Sequence, residues 1–510
     1  MHLSRRLALA LLIACALPLA AQTSTPVAIS IDAAAPGTPF PHFWEQAFGS
    51  GRAILSLRES YRDDLRTVHA ATGFQYIRFH GIFMDEAGFY KADKHGKLEY
   101  NYSYIDQIYD GLLANGVKPF VELSFMPRAL ASDPNQLHAF WYKENVSPPS
   151  SYADWDAMIQ AFTAHLVARY GIDEVSTWYF EVWNEPNIDF WMGNPKQTTY
   201  FELYDHTARD VKAVNPRLRV GGPSTAGVGW IPDFITHVHQ AGIPIDFIST
   251  HIYGNDDAQK SLHAAAQLPR DKMVCTAVKT VHDQIAASPM PALPLIMSEY
   301  NASYANEPDV TDSVYMAPWL ATTIAQCDGL TTFMSYWSFS DVFEEQGVVQ
   351  NPFYGGFGLI AADNIPKPAM NAFIALHKLG DTRLPVASDS ALVTRRSDGV
   401  TVVALWNYAP PDGTGKNYTP ETHSGPIQSF TLTLDHAKAH AHVTVWRVDP
   451  THGNVIPTFD AMGRPAFPSR DQIKQLQAAG QPAPPETIAI HNGRIQIDVP
   501  VHGLAVLEIH

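Results

Sequence analysis

From about residue 40 to 380 the chain alternates short apolar runs with longer stretches of helical period. Such alternation leads to a parallel sheet covered by helices. Eight runs read as strands: 43–48, 76–83, 118–124, 178–183, 219–223, 246–251, 294–298 and 332–337. Eight is the number that a closed (β/α)8 TIM barrel requires. Between them, 104–115 carries apolar residues at helical spacing and ends in Asn115-Gly116, a C-terminal cap signal. The stretch 152–170 behaves the same way and ends at Gly171. An open doubly wound sheet is the alternative. No Gly-x-Gly-x-x-Gly follows the first strand, so its dinucleotide-binding version is disfavoured.

Beyond about residue 385 the helical period fades. Runs at 391–396, 400–407, 429–434, 442–448, 494–499 and 505–509 alternate or are β-branched, with Gly, Pro and Asp turns between them. They predict a C-terminal antiparallel β-sandwich. The expected organisation is α/β: a barrel over 40–380, then a sandwich over 381–510. A Pro-rich excursion over 450–490 interrupts the sandwich with one short helix, and residues 22–39 add a strand to it.

Residues 1–21 read as an export signal. Arg5 and Arg6 precede a short apolar run, Pro18 breaks it, and Leu19-Ala20-Ala21 offers a small-residue cleavage site. Export places the mature chain outside the cell or in a periplasm. Leu12-Ile13-Ala14-Cys15 also resembles a lipoprotein site, which would lipidate Cys15 instead. No later segment has the ~20 apolar residues of a membrane span. The net charge of −16 argues against nucleic acid and anionic membranes as partners. Only Cys275 and Cys327 follow Cys15. Both lie in helix-like stretches. Two separate buried thiols is the simpler expectation, a bridge the alternative.

Two carboxylates carry the chemistry. Glu185 follows Trp178-Tyr179-Phe180-Glu181-Val182-Trp183-Asn184 at the end of the fourth strand, where Pro186 stops further pairing. Glu299 ends the seventh strand, in Leu295-Ile296-Met297-Ser298-Glu299-Tyr300-Asn301. Barrel enzymes keep their active sites at these strand ends. A single glutamate there is as readily a salt-bridged surface residue. Two, each ending its own apolar strand on opposite sides of one barrel mouth, suit glycoside hydrolysis, which needs two carboxyl groups flanking the scissile bond. At ~5 Å apart, one attacks carbon and the other gives and then takes a proton.

The rim offers more candidates. Arg78 and His80 end strand two, His251 and Tyr253 end strand six, and Trp337 ends strand eight. Arg78 and Tyr253 could hold Glu299 ionised, Asn184 could bind a sugar 2-hydroxyl, and Trp337 could stack under a sugar ring. Either Glu344 or Glu345 could grip hydroxyls. No His-Glu-x-x-His or paired-cysteine spacing points to a metal, no cofactor is expected, and no Gly-x-Ser-x-Gly elbow points to serine chemistry.

The stretch from Trp178 to Asn187 resembles the signature of glycoside hydrolase family 39, in the larger clan of barrel glycosidases. Gly49-Ser50-Gly51-Arg52-Ala53, Arg78-Phe79-His80-Gly81, Gly221-Gly222-Pro223 and Ser335 to Glu345 are similar to its β-xylosidases. The resemblance implies retention of configuration, with Glu185 as proton donor and Glu299 as nucleophile. It implies release of terminal β-1,4-linked D-xylose from xylo-oligosaccharides. It also implies substrate-site roles for Arg78, Asn184, His251, Tyr253 and Trp337. A β-galactosidase, arabinosidase or α-L-iduronidase on the same scaffold, or a binding protein without catalysis, are the alternatives. Acidic side chains such as Glu344 and Glu345 would repel the uronate of an iduronidase substrate. Barrel cellulases of the clan carry a histidine after strand three. Here that strand reads Val121-Glu122-Leu123-Ser124, so their roles there do not transfer.

Overall fold

The computed structural model describes residues 26–92, 97–409, 425–435 and 442–510. The expected export signal and Cys15 lie outside the described residues. Eight parallel strands close into a barrel in chain order: Ala47–Gly49, Tyr76–Phe79, Lys118–Leu123, Tyr179–Val182, Arg219–Thr225, Phe247–Tyr253, Leu295–Asn301 and Phe333–Tyr336. The expected first strand starts too early, because Phe43–Glu45 is a turn of 3-10 helix. Strand four also stops short of Pro186. Trp183, at φ 72°, turns the chain out of the sheet three residues before it.

Aromatic side chains fill the barrel floor. Phe120, Phe247, Ile296 and Phe333 pack there with Ala47, against Tyr76 and Tyr179. Arg219 caps Tyr179 with its guanidinium carbon 3.7 Å from the ring centroid. Helices cover the outside. Tyr152–Tyr170 runs as expected, with Ser151 accepting from the Asp154 N–H as N-cap.

The C-terminal strands form two sheets. Val27–Asp32, Gln428–Asp435 and Arg494–Val499 make a three-stranded sheet. A seven-stranded sheet lies opposite, centred on Thr401–Asn407 and Gly503–Ile509. Ile29, Phe430, Val403, Leu405 and Leu507 share the core between them. Arg494–Val499 alternates buried and exposed residues, the pattern of a strand with one wet face. One pairing departs from the antiparallel expectation: Val27–Asp32 runs parallel to Gln428–Asp435. It comes from the far end of the chain, so no hairpin obliges it to reverse direction.

The excursion holds two helices, Ile456–Ala461 and Arg470–Ala479, where one was expected. Pro457 at the start of the first masked its helical character. Phe459 and Leu476 pack on Phe353 and Ile365, and the Asn371 side chain donates to the carbonyls of Gly453 and Gly480. The excursion therefore rests on the barrel, beneath the segment that follows strand eight. Cys275 and Cys327 are joined in a disulfide between two barrel helices. The expectation of separate thiols is corrected: helical spacing within each segment carries no information about which helices lie side by side.

Candidate active site

The carboxyl ends of the barrel strands converge on Arg78, which is fully buried. Its Nε donates to Glu181 and its Nη1 to Glu299 Oε1, each at 2.6 Å. Its Nη2 lies 2.7 Å from Glu122 and 3.0 Å from Asn184 Oδ1. Burial works against this charge, but Glu122, Glu181 and Glu299 outweigh it and raise the guanidinium pKa. His80 sits alongside, its Nδ1 2.7 Å from Glu122. Burial opposes its protonation too, and Glu122 prevails, so His80 titrates above its ordinary value.

Glu299 is held at both oxygens. Arg78 donates to one, and the Tyr253 hydroxyl donates to the other at 2.6 Å. Burial raises its pKa, while Arg78, His80 and Tyr253 pull the other way. Glu185 has no such cation. Burial first, and then the charge of Glu299, push its carboxyl well above the usual range. Of the two, Glu185 keeps its proton and Glu299 the charge.

Glu185 Oε1 lies 2.9 Å from His251 Nδ1. His251 is buried, and burial followed by the charges of Arg78 and His80 lowers its pKa well below the ordinary value. Its ring is therefore neutral. It can accept from a protonated Glu185 at Nδ1 while Nε2 faces the Ser298 and Ser224 hydroxyls at 3.1 and 3.3 Å. One carboxylate oxygen of Glu185, one of Glu299 and a ring nitrogen of His251 lie within 4.8 Å of one another. The backbone of Glu185 takes the left-handed region, at φ 42°, and its N–H donates to the Ser224 carbonyl. Such a conformation in a residue with a side chain is uncommon and gathers at working sites.

A cavity of about 370 Å³ lies over this pair. Glu185, Glu299, His80, Asn184, Tyr253, Trp337 and Glu345 line it. The Trp337 ring forms one wall, so close to Gly49 that a Cβ there would sit 2.1 Å from a ring carbon. Glycine is required at that position for the ring to fit. Arg78 and His251 are absent from the lining. They hold the two carboxyl groups from behind, so the expected substrate contact becomes a positioning one.

Glu344 and Glu345 part ways. Glu344 turns outward to Arg52 and Arg58, at 2.8 and 2.6 Å. Burial opposes its ionisation, but those arginines hold its carboxyl below the usual range. It pins the loop and does not line the cavity over the glutamate pair. Glu345 faces the cavity, and burial pushes its carboxyl up to about 8. The expected repulsion of a uronate weakens accordingly, since one acid is neutralised and the other is largely protonated at neutral pH. A different observation serves in its place: no lysine or arginine lines the cavity among the described residues.

Sequence reasoning passed over Glu122 and Glu181, which complete the Arg78 cluster. Their signal was present, as lone acids inside the apolar third and fourth strands beside an arginine in the second. It also passed over His138, Phe140, Phe190, Phe357, Asp256 and Tyr304, which line the cavity from connecting loops. Loops carry no periodicity to read.

Comparison with known proteins agrees with this geometry. The model of the glycosyl hydrolases family 39 matches residues 27–495. A β-xylosidase of Geobacillus stearothermophilus is 39% identical over 450 residues, 86% of either chain. A β-xylosidase of Caldicellulosiruptor saccharolyticus is 36% identical over 446 residues, 86% of this chain and 88% of that one. The crystal structure of a monomeric β-xylosidase from Caulobacter crescentus superposes with a TM-score of 0.85 at 35% identity, covering 95% of this chain and 99% of that one. With eight strand ends presenting a paired carboxyl site and a family match across almost its whole length, the chain belongs to family 39 of the glycosyl hydrolases.

Proposed function

We propose that the protein is a retaining exo-β-xylosidase, with Glu299 as nucleophile and Glu185 as acid and then base. The approach of their carboxylate oxygens to within 4.8 Å carries the reading, because inverting enzymes need a wider gap for a water molecule. A Glu299 oxygen attacks C1 of the terminal sugar. The C1–O bond breaks, and the departing oxygen takes the proton from Glu185. Glu185, now charged, accepts a proton from a water that attacks C1 and frees Glu299. Asn184, which lines the same cavity as both carboxyl groups, binds the 2-hydroxyl. A cavity of about 370 Å³, with Trp337, His80 and Phe357 in its walls, suits one terminal pyranose rather than the middle of a chain.

Xylose is supported by the β-xylosidases among the similar proteins and by the lack of a lysine or arginine to receive a uronate. A panel of p-nitrophenyl glycosides tests it: the β-xyloside is expected to be the fastest. Following the first-formed sugar by proton NMR should show the β-anomer. A faster galactoside or arabinofuranoside would change the sugar; an α-anomer would overturn the double displacement.

The same reading includes export, with cleavage after Ala21. The disulfide supports an oxidising compartment. Among the described residues no helix is long and apolar enough to cross a membrane. The mass of the mature protein decides the point: a chain beginning at Gln22 is expected, and one beginning at a lipidated Cys15 would replace simple export with anchoring.

A further inference from the structure

Beside the catalytic cavity lies a larger one, of about 970 Å³. Ile188, Ala226, Gly227, Asp256 and Tyr304 line both, so the two spaces share a rim. That rim lies on the Glu185 side. Ile188 follows Glu185 by three residues. The loop carrying Ala226 is tied to the same segment, since Asn187 donates to the Ala226 carbonyl and accepts from its N–H at 2.8 and 2.9 Å. A departing oxygen must sit at the acid that protonates it. Whatever is attached to that oxygen therefore points across the rim and into the larger cavity.

The rim suits a sugar. Tyr304 is 49% exposed and Ile188 40% exposed, which leaves an aromatic ring and an aliphatic side chain open at the rim. The Tyr304 backbone N–H donates to the Asn255 side chain at 3.0 Å, and its ring lies perpendicular to that of Tyr253 with centroids 6.2 Å apart. An aromatic face held in this way can stack on the apolar face of a pyranose. Beyond the rim the walls turn polar, with Asp233, Gln259, Lys260 and Ser261 offering donors and acceptors to hydroxyls. At the upper end of the roughly 300–1,000 Å³ range of ligand sites, this cavity has room for two or three pentose units of about ten heavy atoms each.

We propose that the larger cavity is a leaving-group site for more than one sugar, so that the preferred substrates are xylo-oligosaccharides of three or more units rather than xylobiose or small aryl xylosides. The proposal rests on the xylosidase reading above. Contacts remote from the reacting carbon raise kcat/KM when they persist in the transition state.

The test compares kcat/KM for xylobiose, xylotriose, xylotetraose and p-nitrophenyl β-xyloside. The wild type is expected to favour xylotetraose over xylobiose by about fivefold or more. Ser261→Trp, which fills the cavity next to Gly227, is expected to bring that ratio down to about one, with aryl turnover monitoring fold and chemistry. If that variant also loses aryl turnover, Gln259→Trp, at an exposed helical position, takes its place. A flat or falling series in the wild type overturns the proposal, as does a xylotetraose preference that survives both substitutions. Failure of the xylosidase reading is separate, since every xyloside would then be inert.

Discussion

Glu299→Gly is expected to lower turnover of p-nitrophenyl β-xyloside by on the order of 10⁵-fold, with partial recovery on adding azide or formate. Glu299 is held at both oxygens, by Arg78 and by Tyr253. Those bonds aim it at the space over the pocket. Removing its side chain leaves Glu185 and the rest of the cavity in place, with room for a small anion near the vacated position. Azide attacking C1 from that side would give an azide product of inverted configuration, readable by NMR. A variant that kept the wild-type rate, or that no exogenous anion revived while remaining folded, would remove Glu299 from its role.

Glu185→Ala is expected to separate substrates by leaving group. Loss of general acid help costs roughly 10²–10⁴-fold where the departing oxygen is basic, as in xylobiose. A 2,4-dinitrophenolate needs no proton, so formation of the glycosyl-enzyme should stay within about tenfold of wild type. Equal losses on both substrates would count against the acid role. The pH profile carries the same information. Activity needs Glu185 protonated, and its pKa is raised by burial and by Glu299, so kcat/KM should fall as pH rises through that value. Glu299 must be ionised, so activity should also fall as pH drops through its own pKa, which burial raises and Arg78 restrains. Glu345, pushed up to about 8, is a second group able to shape the alkaline limb. Glu345→Gln should keep that limb and Glu185→Gln should abolish it; the opposite pattern would reassign the limb to Glu345.

The barrel was legible because its strands are buried on both faces and read as continuous apolar runs, while its helices carry their own period and caps. That Glu185 and Glu299 meet at one barrel mouth was legible because each follows such a run. What lay beyond reach depended on distance across the fold. Nothing near Cys275 names Cys327, and nothing near Glu344 shows that Arg52 and Arg58 will take it away from the sugar. Strand ends shifted where backbone conformation intervened, as at Trp183, whose left-handed turn no composition announces. Asp256 and Tyr304 sit in connections after strands six and seven, where only the closed barrel shows that they meet.

The company kept by Arg78 has a further consequence. It and His80 oppose three acids, Glu122, Glu181 and Glu299, beneath the sugar cavity. Acids outnumber bases here, and hydrogen bonds hold their oxygens in place before anything binds. An uncharged pyranose in its resting chair gains little from that field. A flattened ring with positive charge building at C1 gains most, and no dipole has to turn to meet it. The cluster that steadies Glu299 thus makes the barrel mouth complementary to a charge that a sugar acquires only while its glycosidic bond is breaking.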